Sequence, residues 1–168
     1  DTKVLRRGEG GGLYLATTGV GVRQGHVMSM KNIRHGDVIL VSGPVGDHGI
    51  AVMLAREEFG LRGDIQSDAA SVLNLTTAAM NHKGLRFMRD PTLGGMATVC
   101  SELLRATGFG VRLSETNLPV RDPVQSVCEM LGYDPMYLAC EGRAVAVVDP
   151  AEAQALLETW QNLEEGKN

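Results

Sequence analysis

Four short loops in this sequence carry residues able to do chemistry at the ends of predicted strands. They are Asp1-Thr2-Lys3, residues 43–49 (GPVGDHG), residues 89–95 (RDPTLGG) and Cys140-Glu141-Gly142. Three of them set an acidic or polar residue beside glycine. Glycine lets backbone N–H groups come close to phosphate oxygens, and a helix starting just beyond the loop adds a favourable dipole. A carboxylate in the same place suits Mg²⁺, which takes one or two carboxylates together with phosphates. Taken singly, each loop is also an ordinary tight turn. GPVGDHG lacks the Lys and Ser/Thr of a Walker A loop and the spacing of a dinucleotide fingerprint.

Asp90 follows an apolar strand and precedes the Gly94-Gly95 pair that opens a helix. Its carboxylate projects from the sheet edge, where it suits a metal or a phosphate. The plainer task is helix capping, which Thr92 could equally perform. Glu141 stands just before a buried strand, as a catalytic acid or as a solvated turn residue. Asp47 and His48 are chain neighbours, and neighbours seldom face each other, so no acid–base pair is expected there. Cys100, Cys128 and Cys140 are odd in number, widely spaced and free of any C-x-x-C pair. That excludes a disulfide framework and argues against structural zinc. Cys100 and Cys128 lie in apolar helical stretches and read as small core hydrophobes.

The elements that must position these loops follow from the apolar pattern. Residues 13–22 (LYLATTGVGV) are β-rich and read as a strand left from a preceding domain. Residues 37–42 (DVILVS) read as a second strand and 49–59 as a helix ended by Gly60. Ser67 predicts the N-cap of a longer helix reaching about His82. Residues 85–88 predict a short buried strand, 94–107 a helix, and 111–113 another strand. Asp122-Pro123 and Asp149-Pro150 each place proline in a first helical turn. Between those two helices lies a strand over residues 143–148. The expected class is α+β, with helices packed on a mixed sheet. The expected division is residues 1–25 as a remnant of an N-terminal domain, 26–162 as the α+β domain and 163–168 as a disordered tail.

Composition bounds the function. The chain has 168 residues, with 16 Lys and Arg against 20 Asp and Glu, a net charge of −4. No basic excess exists to neutralise a phosphate backbone, so broad nucleic-acid binding is not expected. No apolar run approaches the ~20 residues of a membrane span. Glycine fills 21 positions while aromatics make up 4%, which suits sharp turns around a core of Val, Leu, Ala and Met. No signal peptide is visible, so a cytoplasmic location is expected. The chain opens on Asp rather than Met, which suggests that the natural N-terminus lies upstream.

The segments DTKV, GDVILVSGPVGDHGIAVMLARE, Ser67-Asp68, RDPTLGG and LPVRDPVQSVCEMLGYDPMYLACEGR together resemble the HypE family of hydrogenase maturation proteins. The match runs in order from residue 1 to about residue 150. That family is grouped with aminoimidazole ribonucleotide synthetases and selenophosphate synthetases. The resemblance implies an ATP-dependent carbamoyl dehydratase, which converts an S-carboxamide on its own C-terminal Cys to a thiocyanate and so supplies cyanide for NiFe hydrogenase. It implies the carbamoyltransferase HypF and a HypC–HypD complex as partners, and a homodimer in the full-length protein. By motif, Lys3 is similar to the family's active-site lysine and Glu141 to its glutamate base. Asp1 and Thr2 resemble part of the nucleotide loop, Gly94 and Gly95 its phosphate-facing turn, and Asp90 a Mg²⁺-holding acid.

Leu93 stands where the family usually has Arg, and Cys140 where it usually has Asn. The family's chain is also about twice as long, with its main ATP-binding acids in an N-terminal half and its acceptor Cys in a Pro-Arg-Ile-Cys tail. The 168-residue chain is therefore expected to be inactive alone. The other readings are a non-catalytic partner-binding module and another ATP-dependent enzyme of the same superfamily.

Overall fold

Val145–Val148 (β3) is an unbroken apolar run, and all four of its residues are buried. Such a run suits a strand covered on both faces, and β3 is the central strand of the sheet. The computed structural model describes residues 7–8, 10–22, 25, 27–56, 60 and 63–167. Val38–Val41 (β1) and Leu85–Arg89 (β2) flank β3 in the order β1-β3-β2. Both pairings are antiparallel. The α+β layering expected from the sequence holds, and the small sheet is antiparallel throughout where a mixed one was expected.

Side chains alternate across this sheet. Ala146 and Val148 of β3, with Val38 and Leu40 of β1, face Leu75 and Ala79 of helix Leu73–Met80 (α2) and Leu156 and Trp160 of helix Pro150–Gln161 (α5). The Trp160 indole N–H donates to the Leu75 carbonyl at 2.9 Å, tying α5 to α2. On the other face Val145, Val147, Ile39 and Val41 pack on Met96, Val99 and Leu103 of helix Gly95–Thr107 (α3). The β2 register slips between Leu85 and Phe87. That extra residue lets Leu85 join the first face and Phe87 the second, which strict alternation forbids. A third cluster, Ile50 with Val124 and Cys128, joins helix Asp47–Ala55 (α1) to helix Asp122–Leu131 (α4).

Several boundaries differ from the sequence reading. Helix α2 begins at Leu73, not after Ser67, because the Ser67 hydroxyl is engaged by the Ala69 N–H and His48. Residues 111–113 form no strand; Val111 instead lends partial cover to the α3 face. Residues 13–22 form no strand either, and Leu15 and Val20 stand 90% and 98% exposed. No neighbouring strand offers them a ladder among the described residues, and a strand alone does not hold. In the stretch expected to be a disordered tail, residues 164–166 make a 3₁₀ turn. Leu163 packs on the core there, and Gly166 approaches the Trp160 carbonyl too closely for any side chain.

The antiparallel order fixes where function can gather. Val41 and Arg89 both pair with Val145, so the chain leaves β1, leaves β2 and enters β3 at one edge of the sheet. Leu156 is fully buried between α5 and that sheet. Leu156→Ala is expected to cost about 2–4 kcal/mol through the cavity it leaves, read from the midpoint of urea unfolding. A loss below about 0.5 kcal/mol would show that α5 is not seated as described.

Candidate functional site

The loop after β1 turns on glycine. Gly46 has a left-handed backbone, φ 90°, and caps α1. A Cβ there would press on Val124 and Leu138. This turn sets Asp47 as the first residue of α1 with its side chain inward, 1% exposed. Asp47 Oδ2 lies 3.4 Å from Arg121 Nε and 3.7 Å from Arg143 Nη2. Its Oδ1 is buried without a hydrogen-bond partner among the described residues. Burial pushes the Asp47 carboxyl up, Arg121 and Arg143 pull it down, and Asp68 pushes it up again; the outcome is above the ordinary value.

Arg143 ties three loops together. Its Nε donates to the Pro44 carbonyl at 2.9 Å and lies 3.6 Å from Asp68 Oδ2. Gly43 lies against the guanidinium, where a Cβ would sit 2.9 Å from Arg143 Cζ. The Asp68 side chain is wholly buried, and its Oδ1 accepts the Glu141 backbone N–H at 3.0 Å. Gly142 meets the Asp68 carbonyl too closely for a side chain. Glu141 is thus fixed at its main chain while its carboxylate points outward. His48 Nε2 stands 3.8 Å from Glu141 Oε1, and His48 Nδ1 lies 2.9 Å from Ser67 Oγ.

The loop after β2 meets the same edge. The Cys140 N–H donates to the Pro91 carbonyl at 3.3 Å, and the Thr92 hydroxyl donates to the Cys140 carbonyl at 2.9 Å. Partial desolvation acts to raise the neighbouring Asp90 carboxyl. Hydrogen bonding to Thr92 and to backbone N–H groups, with the Arg89 charge, outweighs it and holds the group below its ordinary range. Gly94 and Gly95 both have positive φ at the start of α3. A Cβ on Gly95 would collide with the Met136 and Leu138 carbonyls, so close packing alone requires that glycine. Cys140 is fully buried, and burial pushes its thiol up to about 11.

Three of the four loops singled out in the sequence therefore meet at one sheet edge, bringing Glu141 into the neighbourhood of Asp90, Gly94 and Gly95. Asp1, Thr2 and Lys3 lie outside the described residues. Among the described residues no group of three or more His, Cys, Asp or Glu side chains converges to hold a metal, at Asp90 or elsewhere. A cleft of ≈ 330 Å³ lined by Lys31, Arg34, Lys83 and Arg86 lies at the opposite end of the sheet, away from these loops. Sequence reasoning missed Arg143 and Arg121 as partners of buried acids. Their signal was faint: Arg143 is a charge directly ahead of an apolar strand, and Arg121 sits beside the Asp-Pro helix start.

Known proteins share this fold. Residues 34–166 match the family model for AIR synthase related protein, C-terminal domain. Carbamoyl dehydratase HypE of Azotobacter vinelandii is 41% identical over 99% of this chain and 50% of its own length. The HypE of Escherichia coli K12 is 37% identical over 100% of this chain and 50% of its own. The chain spans about half the length of the curated relatives it matches. Among solved structures, a HypE–HypF complex superposes with TM-score 0.79 at 42% identity, covering 83% of this chain and 46% of that one. A HypE in complex with ATP gives 0.77 at 33% identity, covering 83% and 42%. A thiamine monophosphate kinase from Aquifex aeolicus shares the fold alone, at 16% identity and TM-score 0.56. Among the described residues no helix is long and apolar enough to cross a membrane.

The two shifted carboxyls have opposite consequences. Asp47 is raised, so the folded chain takes its proton before the unfolded chain does. Its contribution to stability grows as pH falls through the folded value and is lost as pH climbs above it. Asp90 is lowered, so its contribution is present above the ordinary value and is lost as pH falls through the folded one. Asp47→Asn is expected to hold or raise the urea midpoint at neutral pH, with any gain over the unaltered chain shrinking as pH falls through the raised Asp47 value. Asp90→Asn is expected to lower the neutral-pH midpoint, with the difference vanishing in acid. A clear drop for Asp47→Asn at neutral pH would mean that its two arginines outweigh burial.

Proposed function

The chain belongs to the AIR synthase related proteins, whose C-terminal domain it carries over residues 34–166, and from that premise we propose that it forms half of a carbamoyl dehydratase of the HypE kind, working in hydrogenase maturation. One observation carries this reading. In a chain similar to carbamoyl dehydratases over nearly all its length, Glu141 stands outward on a backbone pinned by Asp68, where the loops after β1 and β2 converge.

The proposed reaction removes water from an S-carboxamide. ATP transfers its terminal phosphoryl group to the carboxamide oxygen and leaves as ADP. The C–O bond then breaks with phosphate as leaving group, while the nitrogen gives up its protons and the C≡N bond completes. Glu141 accepts one of those protons, and the departing phosphate takes the other. Lys3, outside the described residues, is assigned the task of offsetting the charge that develops on the phosphorylated oxygen. Asp1 and Thr2, also outside them, and the Gly94-Gly95 turn are assigned to the nucleotide. Asp90, whose carboxyl is held below its ordinary range and which belongs to no cluster of three or more metal-ligating side chains among the described residues, fits the way Mg²⁺ binds through one or two carboxylates and substrate phosphates. When bound, that ion would spread the negative charge of the triphosphate.

The thiol that carries the carboxamide is none of Cys100, Cys128 or Cys140. Burial raises all three, and a protonated, buried thiol is a poor nucleophile. The acceptor Cys belongs to a separate stretch of the whole protein. Within this reading HypF loads the carbamoyl group, a HypC–HypD complex receives the cyanide, and the full-length protein is a cytoplasmic homodimer.

The test uses the full-length protein carrying a carbamoylated Cys. Addition of ATP and Mg²⁺ is expected to remove one water mass from the modified peptide, read by mass spectrometry. Glu141→Gln is expected to slow that loss about 10²-fold or more while nucleotide binding by calorimetry is retained. Undiminished dehydration by Glu141→Gln would remove the base from this scheme, and no ATP-dependent mass loss in the unaltered protein would overturn the scheme itself.

A further inference from the structure

His48 sits between two groups that constrain it from opposite sides. Its Nδ1 is 2.9 Å from Ser67 Oγ and its Nε2 is 3.8 Å from Glu141 Oε1. The Ser67 oxygen also accepts the Ala69 N–H at 3.1 Å. That bond uses an oxygen lone pair and leaves the single hydroxyl proton free to point at His48 Nδ1. With Nδ1 as the acceptor, a neutral imidazole carries its hydrogen on Nε2, facing the carboxylate. A donor thereby faces Glu141 Oε1 from 3.8 Å, beyond hydrogen-bond length in this structure, without the ring needing to be charged.

The adjacent residue completes the bracket. Asp68 Oδ1 holds the Glu141 main chain through its N–H, while Ser67 reaches the Glu141 side chain through His48. We propose that His48, fixed as the Nε2–H tautomer by Ser67, is a positioning residue that orients the Glu141 carboxylate by one oxygen and leaves the other free to take the substrate proton. This rests on the reading of Glu141 as the base. The contact is a poor candidate for structural support: the His48 and Glu141 side chains are 25% and 40% exposed, and a part-exposed polar contact of this kind adds little to stability whether or not the ring is charged.

Two measurements separate this proposal from the reading beneath it. In the full-length enzyme, His48→Ala is expected to lower kcat for dehydration about 10- to 10²-fold, the scale of a misoriented catalytic group. KM for ATP and the melting transition are expected to stay unchanged, and His48→Gln, whose amide N–H can reach the same oxygen, to recover most of kcat. Nitrogen-15 imidazole spectra are expected to show His48 as the Nε2–H tautomer, with Ser67→Ala mixing the tautomers and Glu141→Gln shifting the Nε2–H signal. If Glu141→Gln abolishes turnover while His48→Ala leaves kcat intact, positioning by His48 is overturned. An Nδ1–H tautomer, or a His48 signal indifferent to Glu141→Gln, overturns it as well. If Glu141→Gln keeps full turnover, the base assignment fails separately, and the tautomer spectra still decide whether the contact exists.

Discussion

Two carboxylates withdrawn from water around one guanidinium hold this end of the molecule together. Asp47 and Asp68 have side chains 1% and 0% exposed, and Arg143 approaches both. Taking such charges out of water costs several kcal/mol per ion, which attraction offsets only when geometry and added hydrogen bonds are good. Here the offset is incomplete. One oxygen of each acid lacks a hydrogen bond among the described residues, and burial still leaves Asp47 raised against two arginines. The network is therefore weak evidence for stability and stronger evidence for placement. It fixes the loop after β1, the segment at residues 67–68 and the start of β3 relative to one another.

That placement explains the glycines at this edge better than a phosphate does. Gly43 gives room to the Arg143 guanidinium, Gly142 to the Asp68 carbonyl and Gly95 to the carbonyls of Met136 and Leu138. Each is a close approach that a Cβ would block. Cys140 fits the same logic. Its sulfur accepts the N–H of left-handed Gly46 at 3.4 Å, so the buried thiol serves as an acceptor inside this edge. Leu93 is 80% exposed beside the Gly94-Gly95 turn, and nothing in the structure explains it.

Much of the frame was legible because it rests on local chemistry. The apolar run of β3, the Asp-Pro starts of α4 and α5 and the glycine ends of α3 and α4 each declare themselves within a few residues. Three loops could be read as chemical for the same reason. What could not be read depends on partners far along the chain. The Ser67 hydroxyl suits an N-cap by type, yet His48, 19 residues earlier, engages it. Residues 13–22 have strand composition, but a strand exists only where another offers a ladder. Arg143 finds its carbonyl at Pro44, 99 residues away, and no periodicity reports such a distance.

The edge thus divides into a buried part that fixes positions and an exposed part that carries Glu141 and Asp90. Asp47 and Asp68 lie inside and are engaged with Arg143, and the buried Cys140 thiol accepts the Gly46 N–H. Glu141 and Asp90 extend outward from backbones those contacts immobilise. A base in open water competes with solvent for every proton it handles, so a platform of this kind works only once something covers it. Under the proposed function, bound nucleotide and further protein from a longer chain are the surfaces able to exclude water there. Rigidity supplied from below and desolvation supplied from above are separable requirements, and this chain builds the first of them by spending its buried charges on loop geometry.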